Sequence, residues 1–150
     1  MGRFFALAGM ALAAAAVSVT GAGGVVPAGA QPVDPTGEFT PVTPARILDT
    51  RSGLGQGAAG AVGPDQTIDV QVSGRGGVPA TGASAVVLNV TAVSPTAGGY
   101  LTVYPTGAAR PTISNVNFAA GAVVPNMATV VLGSGGQLSV YNPARSTHVL

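Results

Sequence analysis

Apolar and polar residues alternate along several short stretches of this chain, with the two-residue period of a β-strand. In residues 85–93, one face of the predicted strand carries Val86, Leu88, Val90 and Ala92. Gly- and Pro-rich turns separate this stretch from the other predicted strands, which are residues 45–50, 67–72, 100–104, 113–118, 123–124, 128–132, 138–141 and 147–150. The pattern predicts an all-β fold, an antiparallel β-sandwich, with a closed or pseudo-symmetric β-barrel as the alternative.

One phrase of the sequence occurs nearly twice. Gly99-Tyr-Leu-Thr-Val-Tyr-Pro105 returns as Gly136-Gln-Leu-Ser-Val-Tyr-Asn142, and each copy follows a run that contains Val-Val-Leu, at 86–88 and at 130–132. An apolar strand followed by a glycine-containing loop and a second strand is typical of a β-hairpin. We therefore predict two similar hairpins, each made of a Val-Val-Leu strand and the strand that follows it.

The first thirty residues have the features of an export signal. Arg3 supplies the positive start, residues 4–19 are apolar, and Ala28-Gly-Ala30 fits a small-residue cleavage site before Gln31. The alternative is an uncleaved membrane anchor, for which the apolar core is short. The predicted organisation is a signal peptide at 1–30, a Pro-rich linker at 31–44 and a β-sandwich domain at 45–150, in a protein that is secreted or associated with the cell surface.

Charge and cysteine content narrow the classes of function. The chain has six basic residues and five acidic residues. Cleavage of the predicted signal would remove Arg3 and leave five arginines, so that the formal net charge would be zero. A neutral surface gives no electrostatic footprint for nucleic acid or anionic lipid, and we expect no membrane span after signal cleavage. The chain has no cysteine, which excludes disulfides, thiolate catalysis and Cys-based zinc sites. We expect no cofactor.

Several phrases together resemble a known family. They are Pro44-Ala-Arg-Ile-Leu-Asp-Thr-Arg51, Gly77-Val-Pro-Ala80, Ala85-Val-Val-Leu-Asn-Val-Thr91, the stretch 99–105, Ser114-Asn-Val-Asn-Phe118 and Asn126-Met-Ala-Thr-Val-Val131. The chain resembles an uncharacterised β-rich module of secreted actinobacterial proteins, often attached to cell-wall hydrolases or other exported enzymes. The resemblance implies an extracellular accessory module. Family members usually continue beyond a segment like Thr147-His148 into an Asp-Val-x-Gly-Tyr ending, so we expect the last strand to be truncated at Leu150.

Two groups of residues are candidates for binding. The first group is Asp49 and Arg51, with Arg46 nearby. These residues could bind a carboxylate or the hydroxyls of a sugar. The alternative is a structural ion pair that holds the following loop. Aromatic rings and amides, which suit sugars, form the second group: Tyr100, Tyr104, Tyr141, Asn115 and Asn117. Tyr100 and Tyr104 share a strand face and would form a small platform, whereas the structural alternative is cross-strand packing with asparagines capping turns.

Other residue types give weaker signals. His148 is the single histidine, and no Gly-x-Ser-x-Gly motif accompanies it. Asp65 and Asp69 do not follow a calcium-loop pattern. Asn89-Val-Thr91 matches a glycosylation acceptor but falls within a predicted strand. These observations disfavour an enzyme and a metal site.

We therefore predict a secreted, non-catalytic module that binds cell-envelope glycan or another surface component. A structural protein that assembles by pairing sheet edges is the alternative, because a truncated last strand would leave an edge exposed. A hydrolase is the third hypothesis and depends on His148 being essential.

Overall fold

The structure, a computed structural model, describes residues 38–150 as two antiparallel β-sheets that share one apolar core. The strands are β1 (Gln66–Gln71), β2 (Ala85–Val93), β3 (Gly99–Pro105), β4 (Val116–Phe118), β5 (Val123–Val131), β6 (Gln137–Asn142) and β7 (His148–Val149). One sheet has four strands in the order β1-β6-β3-β4, and the other has three in the order β5-β2-β7. The architecture is sandwich-like and not a closed barrel. The predicted signal peptide and the first half of the predicted linker lie outside the described residues.

The core lies between the inner faces of the two sheets. Leu101 and Val103 of β3 and Leu138 and Val140 of β6 are all buried on the four-stranded side. In the three-stranded sheet, the apolar face predicted for β2 points to the core, with Val90 and Ala92 buried. Ala128 and Val130 of β5 are buried beside them. Removing this apolar surface from water is the main stabilising contribution in a chain without disulfides. Among residues 38–150, no helix is long and apolar enough to cross a membrane.

Most of the predicted strands are confirmed, but three predictions were wrong. The strands predicted at 123–124 and 128–132 form one continuous strand, β5, which runs through Pro125 and Asn126. Residues 45–50 form no strand, because the chain folds back at once through a turn in which Asp49 N–H donates to the Leu54 carbonyl. Gly55 in that turn has a φ of 82° and lies against the Ile47 carbonyl, where a side chain would collide. Residues 113–115 are also outside any strand, so that β4 has only three residues.

The two predicted hairpins do not exist. β2 pairs with β5 and β3 pairs with β6, so each Val-Val-Leu strand and the strand that follows it belong to different sheets. The connection after β2 crosses between the sheets instead of reversing. Pro95 in this connection is fully buried, and its carbonyl accepts a hydrogen bond of 2.7 Å from Gly121 N–H, just before β5.

The repeat instead makes the two copies pair with each other. In the β2–β5 ladder, Val86 lies opposite Val130, its counterpart in the second copy. In the β3–β6 ladder, Val103 lies opposite Val140, again its counterpart. Both registers therefore centre on equivalent residues, so that in each ladder a strand of one copy pairs with its counterpart about a local twofold axis.

Only part of β2 is paired on both sides. On its β7 side, β2 pairs through Val93, Ala92 and Thr91, the last of which exchanges two backbone hydrogen bonds with Leu150. In an antiparallel ladder, alternate residues point their N–H and C=O to the same neighbour. Ala85, Val87 and Asn89 therefore point to the β7 side, where none of the described residues pairs with them. We call these three residues the free edge of β2.

This arrangement predicts an alternating pattern of amide exchange along β2. The amides of Val86, Leu88 and Val90, which face β5, should exchange at least roughly ten times more slowly than those of Val87 and Asn89. Hydrogen–deuterium exchange followed by NMR at single-residue resolution measures this. Equal protection at odd and even positions would contradict the assigned register.

Candidate functional site

The four-stranded sheet turns one face away from the core, and most of the candidate side chains lie there. We call it the outer face. Cross-strand register places its residues in rows: Tyr100 lies opposite Asn117, Thr102 lies opposite Tyr141, and Tyr104 lies opposite Ser139. On β1, Thr67 and Asp69 continue the second and third rows.

The loop that follows β3 covers the middle of the outer face. Thr102 Oγ1 donates a 2.6 Å hydrogen bond to the Ile113 carbonyl, which holds this loop against the sheet. Thr102 is fully buried and Tyr104 is only 9% exposed. The platform expected from Tyr100 and Tyr104 is therefore not presented to solvent, because the second ring is covered.

Asn115 has a structural position at the end of this loop. Its Oδ1 accepts a 2.7 Å hydrogen bond from Val103 N–H, and its own N–H donates to the Leu101 carbonyl. Its carbonyl accepts a 2.6 Å bond from Asn126 Nδ2 of β5, in the other sheet. Asn115 thus extends the β3 ladder beyond β4 and links the two sheets, which is a structural role other than the turn capping given as the alternative.

Tyr100 and Asn117 are different, because both side chains are exposed and directly opposite each other on paired strands. Tyr100 is 37% exposed. Directly opposed side chains in an antiparallel pair have their Cβ atoms about 5 Å apart. The pair therefore presents one aromatic ring and one amide side by side on a rigid support.

A second group on the outer face surrounds Tyr141. Its hydroxyl donates a 2.7 Å hydrogen bond to Asp65 Oδ1, and the guanidinium of Arg110 lies 3.7 Å from its ring centroid. The hydrogen bond to Asp65, reinforced by desolvation, raises the pKa of Tyr141. Tyr141 is itself buried, whereas Asp65 and Arg110 are exposed. The Arg110–Tyr141–Asp65 cluster thus presents an arginine and a carboxylate to solvent over a tyrosine that holds them.

Hydroxyl groups adjoin this cluster. Ser139 Oγ donates a 2.6 Å hydrogen bond to Asp69 Oδ1, and Thr106 Oγ1 lies 3.1 Å from Ser139 Oγ. Asp69 is exposed and Ser139 is buried. Among the described residues, no three His, Cys, Asp or Glu side chains are grouped so as to hold a metal ion.

Asp49 lies away from the outer face and is fully engaged by arginines. Arg51 binds both of its carboxylate oxygens, Nε to Oδ1 at 3.0 Å and Nη2 to Oδ2 at 2.8 Å, and its N–H also donates to Oδ1. Arg46 Nη1 donates to Oδ2 at 3.0 Å. These hydrogen bonds, the one from the Arg51 side chain foremost, hold the pKa of Asp49 well below its usual range. We call this group the Asp49 clasp; it leaves no open position on the carboxylate for a ligand.

His148 is tied to the interior by a buried threonine. Its Nδ1 lies 3.0 Å from Thr50 Oγ1, and the same oxygen accepts a hydrogen bond from Val149 N–H. Thr50 is fully buried and donates its own N–H to the Val149 carbonyl. The contact joins the Asp49 turn to β7, and no carboxylate of the described residues bonds the imidazole.

Of the seven predicted binding residues, the structure brings three to the surface: Tyr100 and Asn117 together, and Arg51 apart from them. Sequence reasoning missed Arg110, and it considered Asp65 and Asp69 only as metal ligands. The contact between Asp65 and Tyr141 spans 76 residues of sequence, and Arg110 lies in a loop without periodicity. No local sequence pattern distinguishes Asp65 or Arg110 as a site residue.

Comparison with protein-family models, with curated proteins and with solved structures finds no match to this chain. The resemblance to an actinobacterial surface module therefore stays a prediction, and function has to be inferred from the geometry of the site.

The Asp49 clasp predicts an acid-dependent loss of stability. A carboxylate with a lowered pKa in the fold stabilises it above the ordinary aspartate pKa of about 4 and loses that contribution as the pH falls further. Asp49→Asn should therefore lower the melting temperature at pH 7, and the gap from the native protein should shrink below about pH 4. Melting curves by circular dichroism from pH 7 to pH 2 measure this. Glu38→Gln, at an exposed position, is the matched control, and a pH-independent gap would contradict the prediction.

The raised pKa of Tyr141 can be tested by alkaline titration. With Asp65→Asn, the hydroxyl keeps an acceptor but loses the neighbouring negative charge, so Tyr141 should ionise at lower pH than in the native protein. Tyrosinate absorbance reports the ionisation of the three tyrosines of the chain. Asp69→Asn should leave the curve unchanged, since Asp69 bonds Ser139. Superimposable curves for the native protein and Asp65→Asn would refute the assignment.

Proposed function

We propose that this protein is a secreted, non-catalytic accessory module that binds cell-envelope glycan through the outer face of its four-stranded sheet. The observation that carries the proposal is the exposed Tyr100–Asn117 pair, which lies on the same face as the Arg110–Tyr141–Asp65 cluster. Another surface component with the same hydroxyl-rich chemistry would fit the same groups.

The side chains of the outer face suit a sugar polymer. The Tyr100 ring offers an apolar surface with a polar tip, on which a pyranose ring can stack, and the Asn117 amide offers both a donor and an acceptor beside it. The planar guanidinium of Arg110 lies over the Tyr141 ring and offers several hydrogen-bond donors. Among the described residues Arg110 forms no ion pair within 4 Å, because the ion pairs found there join Asp49 to Arg46 and to Arg51. The exposed carboxylates of Asp65 and Asp69 add acceptors for hydroxyl groups.

The charge balance supports a neutral ligand more than a polyanion. Residues 31–150 carry equal numbers of arginines and acidic residues, and the outer face itself mixes one arginine with two carboxylates. Binding to nucleic acid relies on an excess of positive charge, which this surface does not have. The export signal predicted in residues 1–30 supports a ligand outside the cell.

The non-catalytic part of the proposal is supported by the way in which the candidate catalytic groups are used. His148 bonds Thr50, which in turn accepts from the backbone, so the pair joins two segments and has no acid behind the imidazole. Asp49 is held as a carboxylate between two arginines. Both arrangements stabilise the fold without activating a nucleophile.

Co-sedimentation with purified bacterial cell wall tests the proposal. The native protein should bind, and Tyr100→Ala and Asn117→Ala should each reduce affinity by about tenfold or more, which corresponds to roughly 1.4 kcal/mol. Tyr100→Phe keeps the ring and should lose less than Tyr100→Ala. Met127→Ala, at an exposed site on the other sheet, is the control, and circular dichroism checks that each variant folds.

Two results would overturn the proposal. Failure of the native protein to bind any cell-wall fraction would remove the glycan ligand, and equal loss in Tyr100→Ala and Met127→Ala would remove the outer face as the site. Release of soluble sugar fragments during the incubation would show a hydrolase instead of a binding module.

A further inference from the structure

Arg110 and Asp65 carry opposite charges and contact the same tyrosine, yet they do not pair with each other. The Arg110 guanidinium lies 3.7 Å from the centroid of the Tyr141 ring, whereas Asp65 Oδ1 accepts a 2.7 Å hydrogen bond from the Tyr141 hydroxyl. Among the described residues, the ion pairs within 4 Å belong to the Asp49 clasp. The arginine and the carboxylate of the outer face are therefore held apart, one over the ring and the other at its hydroxyl.

The Asp49 clasp shows what the same two residue types do when nothing separates them. Arg51 closes on both carboxylate oxygens of Asp49, at 3.0 and 2.8 Å, and leaves no position for a ligand. In the outer-face cluster the tyrosine ring covers one face of the Arg110 guanidinium, and the tyrosine hydroxyl engages one oxygen of Asp65. Because Arg110 and Asp65 are both exposed, the guanidinium edge and Asp65 Oδ2 can reach a ligand.

The backbone at Asp65 fixes where its carboxylate lies. Its φ is 54°, in the left-handed region that few residues other than glycine adopt. Residues 63–66 form the turn before β1, in which Gln66 N–H donates to the Gly63 carbonyl and Gly63 N–H donates to Gln66 Oε1 at 2.8 Å. The turn fixes the backbone and the Tyr141 hydroxyl fixes the side chain, so the carboxylate is in place before a ligand arrives.

A donor group and an acceptor group on two sides of a gap select the chemistry of the ligand. A hydroxyl can accept from Arg110 and donate to Asp65, whereas a carboxylate only accepts and would meet the negative charge of Asp65. Two hydrogen bonds of about 2.8 Å each, made through one oxygen, can join groups that are too far apart to pair directly. The donors of an arginine lie in a planar fork that fits two oxygens side by side. Adjacent hydroxyls of a sugar ring present such a pair.

We propose that the glycan bound by the outer face carries pairs of adjacent ring hydroxyls, and that Arg110 and Asp65 bind one such pair. This inference rests on the glycan proposal and narrows it. Arg110 donates to both oxygens of the pair, and one of the two hydroxyls donates to Asp65 Oδ2, while Tyr100 and Asn117 bind another part of the polymer. A chain of 4-linked N-acetylated amino sugars has no such pair along its length. The ligand class is therefore a neutral polysaccharide of unsubstituted sugars.

Periodate oxidation of purified cell wall tests this inference. Periodate cleaves the carbon–carbon bond between adjacent hydroxyls and leaves the interior of 4-linked amino-sugar chains intact, and borohydride then reduces the aldehydes that form. In co-sedimentation, the native protein should bind the oxidised wall about tenfold more weakly, or worse, than it binds wall treated with periodate that was quenched beforehand.

Arg110→Lys separates recognition of the hydroxyl pair from other effects of oxidation. Lysine keeps the positive charge but lacks the planar fork, so binding to unoxidised wall should weaken by about tenfold. Oxidation should then weaken binding of this variant by less than about threefold more, because two changes that remove one interaction do not add. Arg75→Lys, at an exposed position in the turn after β1, is the matched control and should keep the native affinity and the full sensitivity to oxidation. Circular dichroism checks that each variant folds.

The outcomes separate this inference from the glycan proposal. Equal binding of the native protein to oxidised and unoxidised wall would overturn the inference and leave the glycan proposal in place. Losses from Arg110→Lys and from oxidation that add in full would also overturn it, because the cleaved sugars would then be bound elsewhere on the protein. If the native protein binds no unoxidised wall, the glycan proposal fails and this inference fails with it.

Discussion

The pairing of β3 with β6 is the constraint on which the rest of this fold depends. Both strands are buried on both faces along most of their length, which is unusual for an antiparallel sheet with one side toward the core. Their inner face holds Leu101, Val103, Leu138 and Val140, whereas the other face holds Thr102, Tyr104, Ser139 and Tyr141. Four polar side chains are therefore buried, and three of their hydroxyls, those of Thr102, Ser139 and Tyr141, have hydrogen-bonding partners.

Those partners come from loops and from the neighbouring strand, and supplying them places the loops. Thr102 binds the Ile113 carbonyl, Ser139 binds Asp69, and Tyr141 binds Asp65. Among the described residues, no buried side-chain nitrogen or oxygen is left without a partner. Arg110 lies over Tyr141 because the same loop passes across the sheet. The exposed groups of the outer face are thus positioned by the needs of the buried ones beneath them.

Most strand positions could be predicted from the sequence, but strand partners could not. Alternation of apolar and polar residues is a local property, and it placed β2 at residues 85–93 without error. Strand pairing depends on the path of the connections, and the connection after β2, which contains the buried Pro95, crosses to the other sheet. The faces of Tyr100 and Tyr104 were also predicted, since side chains alternate along a strand. The burial of Tyr104 was not predicted, because alternation along a strand does not show which outward-facing side chains become covered.

The pairing of equivalent residues in both ladders has a further consequence for the geometry of the fold. Strands that pair with their own counterparts have the geometry of a symmetric dimer in which two identical halves have been joined into one polypeptide. Val86 and Val130, and likewise Val103 and Val140, are the residues that would meet themselves across the axis of that dimer. The two halves are not identical, since Tyr100 corresponds to Gln137. The correspondence is kept where Leu101 and Val103 match Leu138 and Val140 in the core, whereas the exposed ring of Tyr100 has no counterpart in the second copy.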